Sequence, residues 1–416
     1  MLDLSITSSV TEGPWRKRFR TFDALYLLAI HVGALYGYLN TPKVEPATFM
    51  LSVFYFFFSG LGITAGYHRY WSHKSYDAIL PMEILLMLMG TSGGQGSIIW
   101  WTRDHRAHHR FVDTYRDPYN AKAGLFYSHI GWVLLRQDPQ KRGKVDVSDL
   151  KEDPVVCFQR DHYFLLFVLM AFVFPTVVAG LGWGDWWGGF FIAGLVRMVV
   201  YMECVYCINS LGHAFGDQPY DDKKTPRDSL LAAIITFGDG YHNFHHEFPQ
   251  DYRAGIKALQ YDPTKWFIYT CSWLGLTYNL QMFDSNEIRK SHFQMKAKKL
   301  EEEKQMITWA PEPATLPIMT WQQVQAQSRS VENVKLAGVE GDVSKKLRDL
   351  VVVDGVVHDV SDFTATHPGG RQILESMIGK DVSAAFKGGI YKHTNAAHNL
   401  LSNMRIARLA AGQEEE

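Results

Sequence analysis

The sequence has few cysteines, almost no net charge and no glycine-rich nucleotide fingerprint, and each shortage excludes a class of function. Four cysteines in 416 residues, Cys157, Cys204, Cys207 and Cys271, are too few for a disulfide framework. The lone C-x-x-C formed by Cys204 and Cys207 lies in an apolar run and reads as packing. With 42 basic and 43 acidic side chains the net charge is -1, so the basic footprint of a nucleic-acid binder is absent and no nucleic-acid partner is expected. The N-terminus opens polar with no early apolar stretch, so no cleavable signal peptide is expected. Glycine pairs such as Gly62/Gly66 fall inside an apolar run, where they suit close helix packing better than phosphate binding.

Apolar side chains are abundant, 47% of residues with 14% aromatic, and they are gathered into long runs. Residues 47–66 and 163–182 are each twenty uncharged positions, enough to span a bilayer as a helix. An apolar neighbour accompanies each: residues 22–39 before the turn Thr41-Pro42-Lys43, and residues 186 to about 209 after Trp183-Gly184-Asp185. The pattern predicts two hairpins and four spans. Arg16, Lys17, Arg18 and Arg20 precede the first span and place the N-terminus in the cytosol by the positive-inside rule, together with everything between the hairpins and the C-terminus. Shorter apolar stretches at 79–90, 230–237 and 266–277 predict interfacial or buried helices. Arg197 and Glu203 fall within the fourth run and are expected to face protein interior or to lie beyond the membrane.

After about residue 290 the composition becomes that of a soluble chain. A charged run followed by a Pro-containing stretch without periodicity predicts a linker over 291–345. Alternating apolar residues around Asp354-Gly355 then predict a strand-turn-strand at the start of a small domain over 346–416.

Histidine is the residue that points to chemistry. Of seventeen, eight fall into three clusters: His68-Arg-Tyr-Trp-Ser-His73, His105-Arg-Ala-His108-His109 and His242-Asn-Phe-His245-His246. A ninth, His213, lies four residues after Asn209. Spacings of three and four put His105, His108 and His109 on one helical stripe, and likewise His242, His245 and His246. His68 and His73 sit immediately past the cytosolic end of the second span, and Asn209 and His213 at the corresponding end of the fourth, so every cluster meets one membrane face. Imidazole serves zinc, copper, nickel and iron alike, so ligand type alone does not choose the metal. His108 and His109 point about 100° apart and address different metals.

From about Gly60 to Leu280, through LGITAGYHRYWSH, WTRDHRAHH, NSLGH and GDGYHNFHHEFP, the chain resembles the membrane-bound acyl-CoA desaturases. That resemblance implies an all-α membrane domain over residues 1–290, four transmembrane helices under a cytosolic helical cap, holding two iron ions. Carried over by motif, one iron takes His68, His105, His109 and His245 with Asn209 through water. The other takes His73, His108, His213, His242 and His246. Gln95 and Trp101 match positions that shape the bend of an acyl tunnel, and Val205 departs from the hydroxyl residue that animal relatives carry there. Arg103, Asp104 and Arg136 match positions near the CoA head group. Gly60, with Phe56 one turn deeper, matches the place of a chain-length gate. Similar histidine boxes occur in lipid hydroxylases and in desaturases of other lipid-linked chains, but WTRDHRAHH and GDGYHNFHHEFP favour acyl-CoA.

The segment His367-Pro-Gly-Gly, preceded by DGVVHDVSDF and followed by YKHTNAA, resembles cytochrome b5. It implies a small α+β domain binding haem b through His367 and His393, with His398 as the competing second ligand. Two axial histidines make the haem an electron carrier. The combined resemblance implies a delta-9 desaturase of stearoyl- or palmitoyl-CoA of the fungal type, multi-pass in the endoplasmic reticulum membrane. It would use O2 and electrons from a separate NADH-cytochrome b5 reductase, since no reductase motif occurs in the chain.

Overall fold

The computed structural model describes residues 10–11, 14–329, 347–388 and 392–412. The chain divides into two compact units, Met1–Leu300 and Glu301–Glu416.

Four helices of the first unit are long and apolar enough to cross a membrane: α1 (Thr21–Leu39), α2 (Pro46–Ser72), α5 (Pro154–Trp183) and α6 (Trp186–Ala214). They pair as two hairpins. Pro46 opens α2 at a position that needs no intrahelical N–H, and Gly184 closes α5 with a left-handed φ of 79°. Asp185 then caps the start of α6 by accepting from Gly188 N–H at 2.8 Å. Between the hairpins lie the short apolar helix α3 (Leu80–Thr91) and the histidine-bearing α4 (Ile98–Phe111). Gly62 of α2 lets α3 approach closely, because a Cβ there would stand 2.1 Å from the backbone N of Gly90. After α6 come α7 (Leu230–Ile235), α8 (His242–Glu247) and α9 (Pro263–Trp273).

The charges inside the fourth run are both partnered. Arg197 is buried, donates to Ser59 Oγ and to the carbonyls of Ser92, Ala171 and Ala193, and lies 4.9 Å from the Tyr55 ring centroid. Glu203 is half-buried between His31 and His129 at 3.2 and 2.9 Å.

The expected linker is partly structured. A 22-residue helix, α10 (Ser285–Met306), carries the chain across the boundary between the units. Strand β1 (Ile318–Met319) and helix α11 (Trp321–Gln327) belong to the second unit, and residues 330–346 lie outside the described ones. Trp321 and Val324 are buried in its core, which is why this stretch is folded.

The second unit has a four-stranded sheet in the order β1-β4-β3-β2, with β2 (Leu350–Val353), β3 (Val356–Asp359) and β4 (Arg405–Leu409). Asp354 and Gly355, at φ 51° and 69°, make the tight turn of the β2-β3 hairpin. The two-residue period splits β2 between two cores: Leu350 and Val352 pack with Trp321 and Val357, and Val351 and Val353 pack with Val360 and Val382.

Candidate functional site

The clusters converge because three helix ends and one short helix meet. The end of α2 widens into a π-helical turn, with His73 N–H donating to His68 C=O five residues back at 3.1 Å. This swings His68 and His73 toward the stripe on α4. A buried ion network presses the opposite side of the site onto α2: Arg69 donates to Asp239 at 2.8 Å, to Asp262 at 3.1 and 3.2 Å, and to Tyr252 C=O at 2.6 Å. Asp262 in turn accepts from the N–H groups of Ala254 and Gly255. Asp239 is thereby held beside His68, three residues before α8.

Nine imidazoles form two adjoining groups. His68, His73, His105, His109 and His245 make one; His108, His213, His242 and His246 make the other. Their Nε2 atoms face one another: His68 and His245 at 2.9 Å, His245 and His109 at 3.0 Å, His73 and His105 at 2.8 Å. In the second group the separations are 3.2 Å for His108 and His246, and 3.1 Å for both His246 and His242, and His242 and His213. Two nitrogens each about 2.1 Å from a common metal and at right angles to one another stand about 3.0 Å apart. The groups meet where the His109 and His246 rings stack at 4.1 Å.

The electrostatics suit metal ligation. Burial, and then repulsion by the other rings, holds His73, His105, His109, His245 and His246 well below the ordinary imidazole range, and His242 at about 3. Neutral imidazole is the form that binds a cation. The Asp239 carboxyl, which burial alone would raise, is held at about 2 by His68 and Arg69.

Three of the second ring nitrogens face a partner. His68 Nδ1 stands 3.0 Å from Asp239 Oδ2, and His108 Nδ1 donates to Asp117 Oδ1 at 2.9 Å. Thr225 spends its hydroxyl proton on Asp113 and accepts from His213 Nδ1 at 2.8 Å. Such partners fix the tautomer that leaves Nε2 for a metal. Asp117→Asn is therefore expected to weaken metal retention by about 10- to 100-fold while leaving the fold intact; metal analysis of purified protein checks this, and unchanged occupancy would refute the orienting role.

On the membrane side of the histidines lies a cavity of about 30 Å³, bounded by Ile63, Gln95, Trp101, Val205 and Asn209 together with His68 and His105. The Trp101 ring stacks on His105 at 4.9 Å. In the second unit an apolar cavity of about 700 Å³ is lined by both His367 and His393. His367 Nδ1 faces Gly370 C=O at 3.3 Å, and His393 Nδ1 donates to Phe386 C=O at 2.7 Å. His398 packs on Phe386 but does not line the cavity. A large flat cofactor ligated from two sides fits this lining.

Comparison with known proteins agrees with both sites. Residues 45–262 match the fatty acid desaturase family, and residues 336–410 match the cytochrome b5-like heme/steroid binding domain. A probable acyl-CoA desaturase of Schizosaccharomyces pombe is 44% identical over 97% of this chain and 80% of its own length. The chain belongs to the fatty acid desaturase family. Acyl-CoA desaturase 1 of Saccharomyces cerevisiae is 45% identical over 86% of this chain and 67% of its own length. Human stearoyl-CoA desaturase is 40% identical over 64% of this chain and 76% of its own length. This desaturase is thus a multi-pass membrane oxidoreductase with histidine clusters able to hold a di-iron centre and a fused cytochrome b5-like haem domain.

The desaturase geometry differs from the motif-based expectation in three places. His73 joins the group of His68, not that of His108, because the π-helical turn brings its Nε2 to His105. Asn209, one helical turn before His213 on α6, lines the cavity together with His68, His105 and His242. Gly60 and Phe56 do not line the cavity: a Cβ on Gly60 would meet the Phe237 ring at 2.5 Å, and the Phe56 and Phe237 rings lie 5.0 Å apart. Arg103 and Arg136 are not brought together. Arg103 pairs with buried Asp104 at 2.9 Å, whereas Arg136 is exposed and its N–H donates to Arg18 C=O. The second cation on Asp104 is Arg142. Sequence reasoning missed Arg142 along with Asp113, Asp117, Thr225 and Asp239. Asp239 and Asp113 lie three and four residues from a histidine cluster, a nearness that marks them as candidates without saying which ring each meets.

Proposed function

We propose that this chain is an acyl-CoA delta-9 desaturase, placing a cis double bond in saturated long-chain fatty acyl-CoA such as stearoyl- or palmitoyl-CoA. The observation that carries the reading is the convergence of nine imidazoles, seven of them buried, beside a small cavity at the ends of two apolar helices, in a chain that also holds a two-histidine haem pocket. In this reading His68, His73, His105, His109 and His245 hold one iron. His108, His213, His242 and His246 hold the other, and Asn209 contributes through water. His367 and His393 hold the haem. When bound, the iron pair supplies the oxidant from O2 and two electrons that can take hydrogen from an unactivated methylene pair.

The residues around the pair do the positioning. Successive methylenes are chemically alike, so the site of attack is geometric, set by how the walls of the cavity hold the chain relative to the histidines. Gln95, Trp101 and Val205 form those walls. Burial of His68, His105, His108, His213, His242, His245 and His246 limits water at the reacting carbons. Arg103 and Arg142, joined through Asp104, offer phosphate-binding guanidinium groups for the CoA head group, with Arg136 as a further exposed cation. The membrane is that of the endoplasmic reticulum, both termini are cytosolic, and an NADH-cytochrome b5 reductase reduces the haem domain.

The reading is tested by incubating membranes containing the chain with stearoyl-CoA, NADH and a cytochrome b5 reductase under O2, and locating the double bond by mass spectrometry. A cis-9 product supports it; a double bond elsewhere would refute the regiochemistry, and a hydroxylated product would refute desaturation.

A further inference from the structure

Below the cavity, on the side away from the histidines, three aromatic rings cluster. Ile63 of α2 and Val205 of α6 bound the cavity on that side. About one turn further from the histidines on the same helices come Gly60 and Tyr201, with Phe56 beyond. The third ring comes from outside the spans. Phe237, between α7 and α8, is 2% exposed, and its ring centroid lies 5.0 Å from that of Phe56 and 6.4 Å from that of Tyr201.

Phe237 is held there against its backbone preference. Its φ of 58° lies in the left-handed region, where a bulky side chain is an outlier, and the following Gly238 is also positive at 103°. Such conformations persist only where the surroundings enforce them, and they gather at ligand clamps. The enforcement is visible. Thr264 Oγ1 donates to Phe237 C=O at 2.9 Å and lies 2.6 Å from Thr64 Oγ1, which reaches Gly60 C=O at 3.0 Å. The ring fills the space that glycine leaves at position 60, since a Cβ there would stand 2.5 to 2.7 Å from three of its atoms. The Tyr201 hydroxyl, in the same cluster, is buried without a hydrogen-bond partner.

We propose that Phe237 is a specificity-determining residue, its ring serving as the stop for the methyl end of the acyl chain; this rests on the acyl-CoA reading above. The ring packs on Gly60, one turn below the cavity wall at Ile63 and one turn above Phe56, so an acyl tail descending from the cavity along α2 would meet Phe237 first. How far that ring yields sets the chain length accepted, and Gly60 acts by leaving it room.

The test is a competition among sixteen-, eighteen- and twenty-carbon acyl-CoA in membranes holding the full chain. Phe237→Leu, which keeps an apolar side chain, and Phe237→Gly, which also relieves the left-handed strain, should both raise the twenty- to eighteen-carbon product ratio. The shift expected is about tenfold, the selectivity of two buried methylenes. Gly60→Ala should push the ring and lower the eighteen- to sixteen-carbon ratio in the wild-type background but not beside Phe237→Gly. Thermal stabilisation of the purified variants by eicosanoyl-CoA should exceed that by stearoyl-CoA, the reverse of wild type. Unchanged product ratios in both Phe237 variants would overturn the stop while leaving the acyl-CoA reading intact; failure of the wild type to act on any acyl-CoA would sink both.

Discussion

Replacing His245 by alanine is expected to abolish iron retention and double-bond formation while the protein remains in the membrane. His245 Nε2 stands 2.9 Å from that of His68 and 3.0 Å from that of His109, so its loss opens the centre of the first group. The residue lies on α8, outside the four long apolar helices, and its removal changes none of the surfaces that insert. Altering a mere orienting partner of a metal ligand typically costs 10- to 100-fold in affinity or activity, and loss of the ligand itself should cost more than about a hundredfold. His108→Ala should do the same through the second group, where His108 also uses Asp117. Iron content per chain and product formation in membrane fractions check both variants. Near-wild-type activity in a correctly inserted His245→Ala protein would refute the two-iron assignment.

The second large effect belongs to the haem. His367→Ala should lose the low-spin b-type spectrum and most desaturation in cells without free cytochrome b5. The cavity offers its two histidines with no third among its lining residues, so nothing replaces the lost axial ligand. A tethered donor acts at an effective concentration on the order of millimolar, so free cytochrome b5 added at lower concentration should restore activity only in part. His398→Ala should leave the spectrum unchanged, because His398 lies outside the lining. A haem spectrum retained in His367→Ala would show that the ligand is elsewhere.

These expectations use different depths of information. The four spans were legible because length and hydropathy leave little choice in a bilayer, and the histidine stripes because spacings of three and four fix a helical face. The placement of His73 was not legible: it follows the end of α2, and only the π-helical turn decides which neighbour its ring meets. Asp239 lies three residues before His242 and Asp117 eight after His109, and nothing local announces which acid turns toward which ring. Phe237 and Gly60 lie far apart along the chain, and their contact depends on a left-handed backbone that periodicity cannot reveal. The early start of the folded second unit did leave a trace. Thr320 and Gln323 form a capping box ahead of the buried Trp321 and Val324, a T-x-x-Q signal within the stretch expected as a linker.

The measurement that tests the central claim most directly is the fatty-acid profile of a desaturase-deficient host, unable to grow without unsaturated fatty acids, once it expresses this chain. The account predicts growth without supplement and the appearance of cis-9 sixteen- and eighteen-carbon monounsaturated acids by gas chromatography, both lost with His245→Ala. An inserted, haem-containing protein that leaves the host auxotrophic, with no new monounsaturated acid, would contradict it.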